Sequence, residues 1–501
     1  MNSTHNKALL AIDQGTTSTR AILFSVTGKI LSIRQEEHIL HYPHKGWIEQ
    51  RPDDLWQNTL SVSRAVIADA QLSSIEVAGI GITNQRETTL IWDRNTGEPV
   101  YNAIVWQDRR TAVHCTKLKD SGLEKSITEK TGLLIDPYFS ATKIAWILDN
   151  IEGTRARAEK GDLAFGTIDA FLLWKLTKGR VHATDVTNAS RTMLFNISTQ
   201  QWDEDLLKIF NIPAALLPEV KENVTFFGET KADLLGAAYV IGGMAGDQHA
   251  AMIGQGCFEP GMIKATYGTG CFALMNTGPD FKISKNKLLT TIGYRVGNNI
   301  CYALEGSIFS AGAAIHWLRD NLGILEDAPQ SEALALSVPD SNEVYFVPAF
   351  TGLGAPYWKP DACGAITGIS RESNNAHIVR AALEAQGYQS RDLIDVMEAE
   401  CGDTYLTGIL RIDGGMTNNI FVCQFLADML DKTVEVPAVM ESTAWGAAAL
   451  AGLQCGLFTD LEDISKNWIC ARRFQPQISK NQRKKLYDGW KKAVSCVLAN
   501  C

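Results

Sequence analysis

Among the chain's 11 cysteines there is no CxxC pair and no regular spacing, which argues against a disulfide framework and a zinc knuckle and leaves a reducing, cytoplasmic setting as the expectation. There is no basic stripe either. The net charge is −9, and Arg472-Arg473 and Arg483-Lys484-Lys485 are short and isolated, so a nucleic-acid partner is not expected. Long apolar runs are missing as well. The run before Asp13 is too short for a signal-peptide core. The longest uncharged stretch, 442–459, is diluted by Gly446, Gly452, Gln454 and Gly456, where a membrane span needs roughly 20 apolar residues. No GxxxxGK[ST] pattern occurs, and the pairs Gly79/Gly81 and Gly352/Gly354 do not complete GxGxxG, so P-loop and dinucleotide-binding readings are unsupported. His38, His41 and His44 are three apart, yet Pro43 opposes a helix there and no ligand spacing is completed; they read as surface imidazoles rather than a metal site.

What the chain does have is one local pattern twice: an apolar strand, a Gly/Thr-rich turn and a second apolar strand. The first copy is LLAIDQGTTSTRAILF (9–24) and the second is MIKATYGTGCFALM (262–275). Glycine among hydroxyl residues lets backbone N–H groups approach a polyanion while Thr and Ser add donors of their own. Either turn alone would pass for an ordinary hairpin. Two such turns suggest one nucleotide held between two halves. At 501 residues the chain exceeds a single core, so two large domains are expected, with a boundary near 250–260 that we place between 253 and 254.

Hairpins broken by Gly15 and Gly28 open the first half, followed by a helix over 53–70, a buried strand over 75–83 and the start of another over 88–92. A mostly helical region covers 111–176. The stretch 239–246 then reads as strand, tight turn, helix, with Asp247 at the turn. After the second hairpin, helices are expected at 310–321 and 376–397, with a strand at 408–412 that meets Asp413-Gly414-Gly415 and a helix over 418–430. Strands alternating with long helices indicate an α/β architecture in both halves, with the ligand site in the cleft between them.

Asp13 ends a strand where the Gly15–Thr19 turn begins. A carboxylate beside a phosphate cradle calls for an intervening cation such as Mg²⁺, although an Asx-turn would also use it. Asp247 is placed to accept a hydroxyl proton as phosphate arrives; as a helix N-cap it would be equally satisfied, and the local sequence leans slightly to the cap. Arg86-Glu87, just past a strand, offers a donor fork and an acceptor carboxylate that suit a polyol, unless it is a surface ion pair of little weight. Trp106 and Phe272 are candidates for lining a small pocket, or for core.

At DQGTTSTR (13–20), NQRETT (84–89), WQDRR (106–110), YFSATKIAWILDN (138–150), AGDQHAA (245–251), TYGTGCF (266–272), GAITGISRESNNAHIVRAALE (364–384) and DGGMTNN (413–419) the chain resembles the FGGY carbohydrate kinases over essentially its whole length. The resemblance implies an actin/hexokinase/Hsp70-like (ribonuclease H-like) pair of α/β domains with ATP and a polyol in the cleft, where Asp13 leads us to expect Mg²⁺ as well. NQRETT implies glycerol as acceptor rather than a pentulose. By the same resemblance Arg86, Glu87, Tyr138, Asp247 and Gln248 meet glycerol hydroxyls, and Trp106 and Phe272 pack on its carbons. Asp247 is then the general base. Thr16, Thr17, Ser18, Arg20 and Thr269 meet the phosphates, Asp13 lies at the metal, and Gly312, His316, Gly415 and Asn419 lie at the nucleoside. His316 stands where the family usually has Gln, and 226–241 lacks the Gly/Arg-rich loop some members use for sugar-phosphate regulation. A homo-oligomer, dimer or tetramer, is expected. The rivals are a kinase for another polyol or ketose and an actin- or Hsp70-like ATPase.

Overall fold

The computed structural model describes residues 6–359, 361–402 and 407–499. The first half is organised on a six-stranded sheet of β1 (Lys7–Gln14), β2 (Ser18–Ser25), β3 (Ile30–Glu37), β4 (Glu76–Asn84), β5 (Val224–Glu229) and β6 (Val240–Gly246), in spatial order β5-β6-β4-β1-β2-β3. β1, β2 and β3 form an antiparallel meander, β1, β4 and β6 run parallel, and β5 returns antiparallel on the edge. The second half carries a seven-stranded sheet of β7 (Ile263–Tyr267), β8 (Cys271–Gly278), β9 (Leu289–Val296), β10 (Asn299–Ile308), β11 (Ile409–Asp413), β12 (Thr433–Pro437) and β13 (Cys470–Phe474), in order β9-β10-β8-β7-β11-β12-β13. There β7, β11 and β12 are parallel, while β7–β8 and β8–β10 pair antiparallel. The run β3-β2-β1-β4-β6 is thus repeated as β10-β8-β7-β11-β12, so the duplicated turn in the sequence belongs to a duplicated sheet.

β1 alternates sides with period two, as its pattern requires. Ala8, Leu10 and Ile12 face helix α1 (Pro52–Leu72), through Leu55, Leu60 and Val66. Leu9 and Ala11 face the opposite way, onto Ala444, Trp445 and Ala448. Within the expected helical region 111–176 the strand Leu163–Gly166 intervenes and pairs with Leu90–Asp93; among the helices there is α2 (Ser140–Asn150). The strand expected from Thr88 starts at Leu90 because Glu87 turns the chain with φ 61° and Thr88 N–H donates to Arg86 O.

Helix α3 (Asp247–Gly254) follows β6 directly, and α4 (Gly312–Asp320) follows β10. The long α5 (Asn375–Cys401) is started by a capping box: Asn374 Oδ1 accepts the N–H groups of Ala376 and His377, and His377 Nδ1 accepts that of Asn374. It packs with α6 (Ile420–Leu430) against the second sheet through Val379, Leu383, Tyr388 and Leu426.

The uncharged stretch after 442 forms α7 (Ser442–Gln454), which lies on β1, β4 and β6 of the first sheet and crosses α3. Trp445 is buried, edge-on to Phe24 at 5.5 Å between centroids. Burying an aromatic side chain of this kind contributes about 2–3 kcal/mol. The crossing is close enough to need glycine: a Cβ at Gly446 would lie 1.8 Å from Ala250 O, and one at Gly254 2.0 Å from Ser442 O. A helix from the second half of the chain therefore covers the sheet of the first.

Candidate active site

In β4 and β6 the parallel register sets Gly246 opposite Asn84, and in β1 and β4 it sets Asp13 opposite Thr83. Residues just beyond these carboxyl ends converge, although more than 150 positions separate Arg86 from Asp247. Arg86 Nε lies 3.0 Å from Asp247 Oδ1. Gly246 makes the approach possible, since a Cβ there would meet Arg86 Cγ at 2.7 Å. The cap position of α3 is Gly246, not Asp247; Asp247 is the first residue inside the helix, and its Oδ1 accepts the N–H of Gln248 at 2.6 Å. Its side chain keeps about a third of its surface exposed, and among the described residues no donor contacts Oδ2.

Arg86 is no surface ion pair. It is 3% exposed and donates from Nη1 to Glu305 Oε2 at 2.5 Å and from Nη2 to Oε1 at 3.4 Å. Arg191 donates to Glu305 Oε1 at 2.9 Å and to Glu87 Oε1 at 2.6 Å. Burial pushes the Glu305 carboxyl up, but Arg191 and Arg86 outweigh it and hold it below its ordinary range. Glu87 has only the weaker share of the two guanidiniums, and burial raises it. Its left-handed φ of 61° costs a non-glycine residue on the order of 1 kcal/mol or more, the kind of strain that clusters at ligand sites.

Aromatic rings cross the cleft. Trp106 lies 5.5 Å from Tyr138 and 6.3 Å from Phe272, which comes from β8 in the other half. Trp106 Nε1 donates to Thr16 Oγ1 at 2.9 Å, joining this aromatic group to the first turn. Lys143 at the start of α2 donates to the carbonyl oxygens of Tyr138 and Phe139 and fixes that corner; burial lowers its ammonium to about 8. Gln248 accepts from buried Lys264, which also donates to Thr266 Oγ1 at 3.0 Å; burial lowers the Lys264 ammonium, with Asp413 and Asp247 opposing.

The two turns keep backbone donors free. Gly15 N–H returns to Ser18 O and Gly268 N–H to Gly270 O, while the N–H groups of Thr16, Thr17, Thr269 and Gly270 have no hydrogen bond among the described residues. That is a cradle fitted to phosphate oxygens. Arg20, expected at the phosphates, donates to Asp13 Oδ2 and to Glu441 Oε2, both at 2.6 Å. Burial raises the Asp13 carboxyl more than Arg20 lowers it, and Glu441 and Asp247 raise it further. A carboxylate with this surplus of negative neighbours fits a hard cation. No group of three or more His, Cys, Asp or Glu side chains is placed to hold a metal ion among the described residues, so such an ion would be completed by water and phosphate, as suits Mg²⁺.

Gly312 N–H donates to Gly268 O, and the N–H groups of Ala311 and Ala313 to Thr269 O, which ties the start of α4 to the second turn. A Cβ at Gly415 would meet nothing within 4 Å, so no packing explains glycine there. His316 is exposed on α4. Asn419 caps α6 through Val422 N–H and reaches Ser331 Oγ at 3.3 Å. His38, by contrast, sits behind the first turn, on Thr19 Oγ1, Gln14 and Asn58.

Glu305, Arg191, Lys264 and Glu441 were not found by sequence reasoning. A lone glutamate inside the apolar strand CYALEGSIF and a lone lysine inside MIKATY were the available signals, because such residues are buried only when paired.

Two sheets of the same strand order, each with a Gly/Thr turn at the cleft, make the architecture that of the actin/hexokinase-like kinases. The models for the FGGY family of carbohydrate kinases match, the N-terminal domain at 8–254 and the C-terminal domain at 263–455, and the chain belongs to that family. It is similar to the glycerol kinase of Nitrosomonas eutropha, 62% identical over 98% of each chain. It is 55% identical to that of Ectopseudomonas mendocina, over 98% of this chain and 99% of the other. The solved structure of Plasmodium falciparum glycerol kinase with ADP superposes with a TM-score of 0.93 at 38% identity, over 98% of each chain.

Proposed function

We infer that the protein phosphorylates glycerol with ATP, giving sn-glycerol 3-phosphate and ADP, the first step of glycerol catabolism. The observation that carries this reading is the contact of Arg86 with Asp247, supported by the Trp106–Phe272 ring contact between the two halves and by the two donor-lined turns. We assign hydroxyl recognition to Arg86, Glu87, Tyr138, Asp247 and Gln248. Trp106 and Phe272 cover the carbon skeleton.

Asp247 Oδ2 takes the proton of the terminal hydroxyl as that oxygen bonds to the γ-phosphorus and the bond to the ADP oxygen breaks. Thr16, Thr17, Ser18 and Thr269 cradle the phosphates. Arg20, held between Asp13 and Glu441, offsets their charge. Asp13 would hold Mg²⁺, which neutralises charge on the phosphate oxygens. Gly312, His316, Gly415 and Asn419 border the nucleoside. The proposed division at 253/254 puts the acceptor residues and the first phosphate turn on one half and the nucleoside residues and the second turn on the other, and closure of the halves would exclude water as a competing acceptor.

No helix among the described residues is long and apolar enough to cross a membrane. We place the protein in the cytoplasm and expect a dimer or tetramer. The test is ADP release with glycerol, xylulose, gluconate or no acceptor. Glycerol-dependent turnover is expected; faster turnover with xylulose or gluconate, or acceptor-independent turnover, would overturn the reading.

A further inference from the structure

Glu305 is delivered from β10 in the second half onto two arginines of the first, and it is 2% exposed. A free guanidinium presents parallel N–H donors that match a carboxylate, and this fork is how arginine commonly selects acids. On Arg86 that fork is taken. Nη1 and Nη2 point at the two oxygens of Glu305, and Nε points at Asp247. Arg191 is committed likewise, to Glu87 and Glu305, and only its Nη1 lacks an acceptor. That nitrogen is itself buried, and with Nε and Nη2 engaged it forms no open fork.

Charge leads to the same conclusion. Arg86 and Arg191 face Glu87, Glu305 and Asp247, leaving one negative charge in excess. Behind them Lys264 and Asp413 offset one another. An anion entering this group would meet net repulsion and no open fork. A neutral polyol needs neither. Buried ionic clusters are commonly no more stable than an apolar replacement of the same volume, so stability alone does not account for this one.

We propose that Glu305 makes the acceptor pocket selective for neutral polyols by occupying the guanidinium of Arg86, so that a carboxylate-bearing analogue of the same size is refused. The proposal rests on the reading that glycerol is bound at Arg86 and Asp247. It makes Glu305 a positioning residue that touches no reacting atom. Selectivity here comes from a repulsive element as well as an attractive one.

The test compares D-glycerate with glyceramide, its neutral isostere, as competitive inhibitors against glycerol in the wild type, Glu305→Gln and Glu305→Asp. In the wild type glycerate should bind at least about 100-fold more weakly than glyceramide. In Glu305→Gln, which frees the fork and removes one charge, that ratio should fall at least about tenfold, while Glu305→Asp, which keeps the charge, should still refuse glycerate. The proposal is overturned by a wild-type ratio below about tenfold, or by an unchanged ratio in a folded Glu305→Gln. If Glu305→Gln does not fold, the wild-type ratio still decides against the proposal when it is small. Glycerol turnover by the wild type is the internal control: its absence would remove the acceptor assignment itself, not the role of Glu305 alone.

Discussion

Replacing Gly446 by alanine separates helix propensity from packing, because the two predict opposite signs. In the middle of a free helix Gly→Ala stabilises by about 1 kcal/mol. Gly446 lies inside α7, where an added Cβ would stand 1.8 Å from Ala250 O, 2.7 Å from Ala250 C and 2.9 Å from Gly254 N. All three are backbone atoms of or beside α3, so no rotamer change relieves the contact. Ordinary carbon contacts begin near 3.5 Å, so the helices must part by about 1.5 Å. Overpacking of this kind costs about 1–3 kcal/mol, occasionally more, and here it exceeds the gain in propensity. With a loss of about 2 kcal/mol the apparent melting midpoint should fall by roughly 4–8 °C. Activity should fall too, since Asp247 is the first residue of α3 and a displacement of about 1 Å in a reacting group can cost ~100-fold. Thermal unfolding followed by fluorescence, with kcat measured well below the midpoint, checks both. A Gly446→Ala variant as stable as the wild type would refute the close crossing of α3 and α7.

Arg86→Lys keeps a cation against Glu305 but loses the fork, and should weaken glycerol binding about tenfold with ATP affinity little changed; calorimetry with each ligand reads this directly. Gly415→Ala meets open space, so melting should be unchanged while the KM for ATP rises several-fold if the nucleoside lies there; an unchanged KM would remove Gly415 from the nucleotide site. Burial raises the Asp392 carboxyl from 3.8 to about 6, against its hydrogen bonds from Tyr487 and Trp490. A folded pKa above the unfolded value gives stability that is present at low pH and lost as pH rises through about 6. Relative to Asp392→Asn, which does not titrate, the wild type should therefore lose on the order of 1–3 kcal/mol between pH 4 and 7. Urea unfolding of both proteins across pH 4–7 tests the sign; a gap that is flat or grows toward the wild type contradicts it.

The sheets were legible because β1, β2, β7 and β8 are apolar strands interrupted by glycine turns, a local signal with a local cause. Helices α1 and α5 fell within a few residues of expectation, their ends set by Pro52 and by the Asn374 capping box. Arg86, Asp247, Trp106 and Phe272 were found as separate residues; what brings them together is the parallel register of β4 with β6 and the closure of one half on the other. That kind of fact has no local signature. The same holds for Arg20 with Glu441, 421 positions apart, and for Glu305 with Arg86, 219 apart. Arg191 was hidden for another reason: it lies in the polar run TDVTNASRT, yet 184–192 is wholly buried and pairs most of its polar groups within the protein, as where Asp185 accepts from Thr187, Asn188 and Asn223.

The central claim is that Asp247 takes the acceptor's proton while Arg86 and Glu87 hold the acceptor in place. Measuring kcat and the glycerol dissociation constant together in Asp247→Asn tests it most directly. The claim predicts a kcat lower by about 10²–10⁴ with glycerol affinity within about tenfold of the wild type. A variant that keeps kcat and loses only its affinity for glycerol would make Asp247 a binding residue and contradict the account.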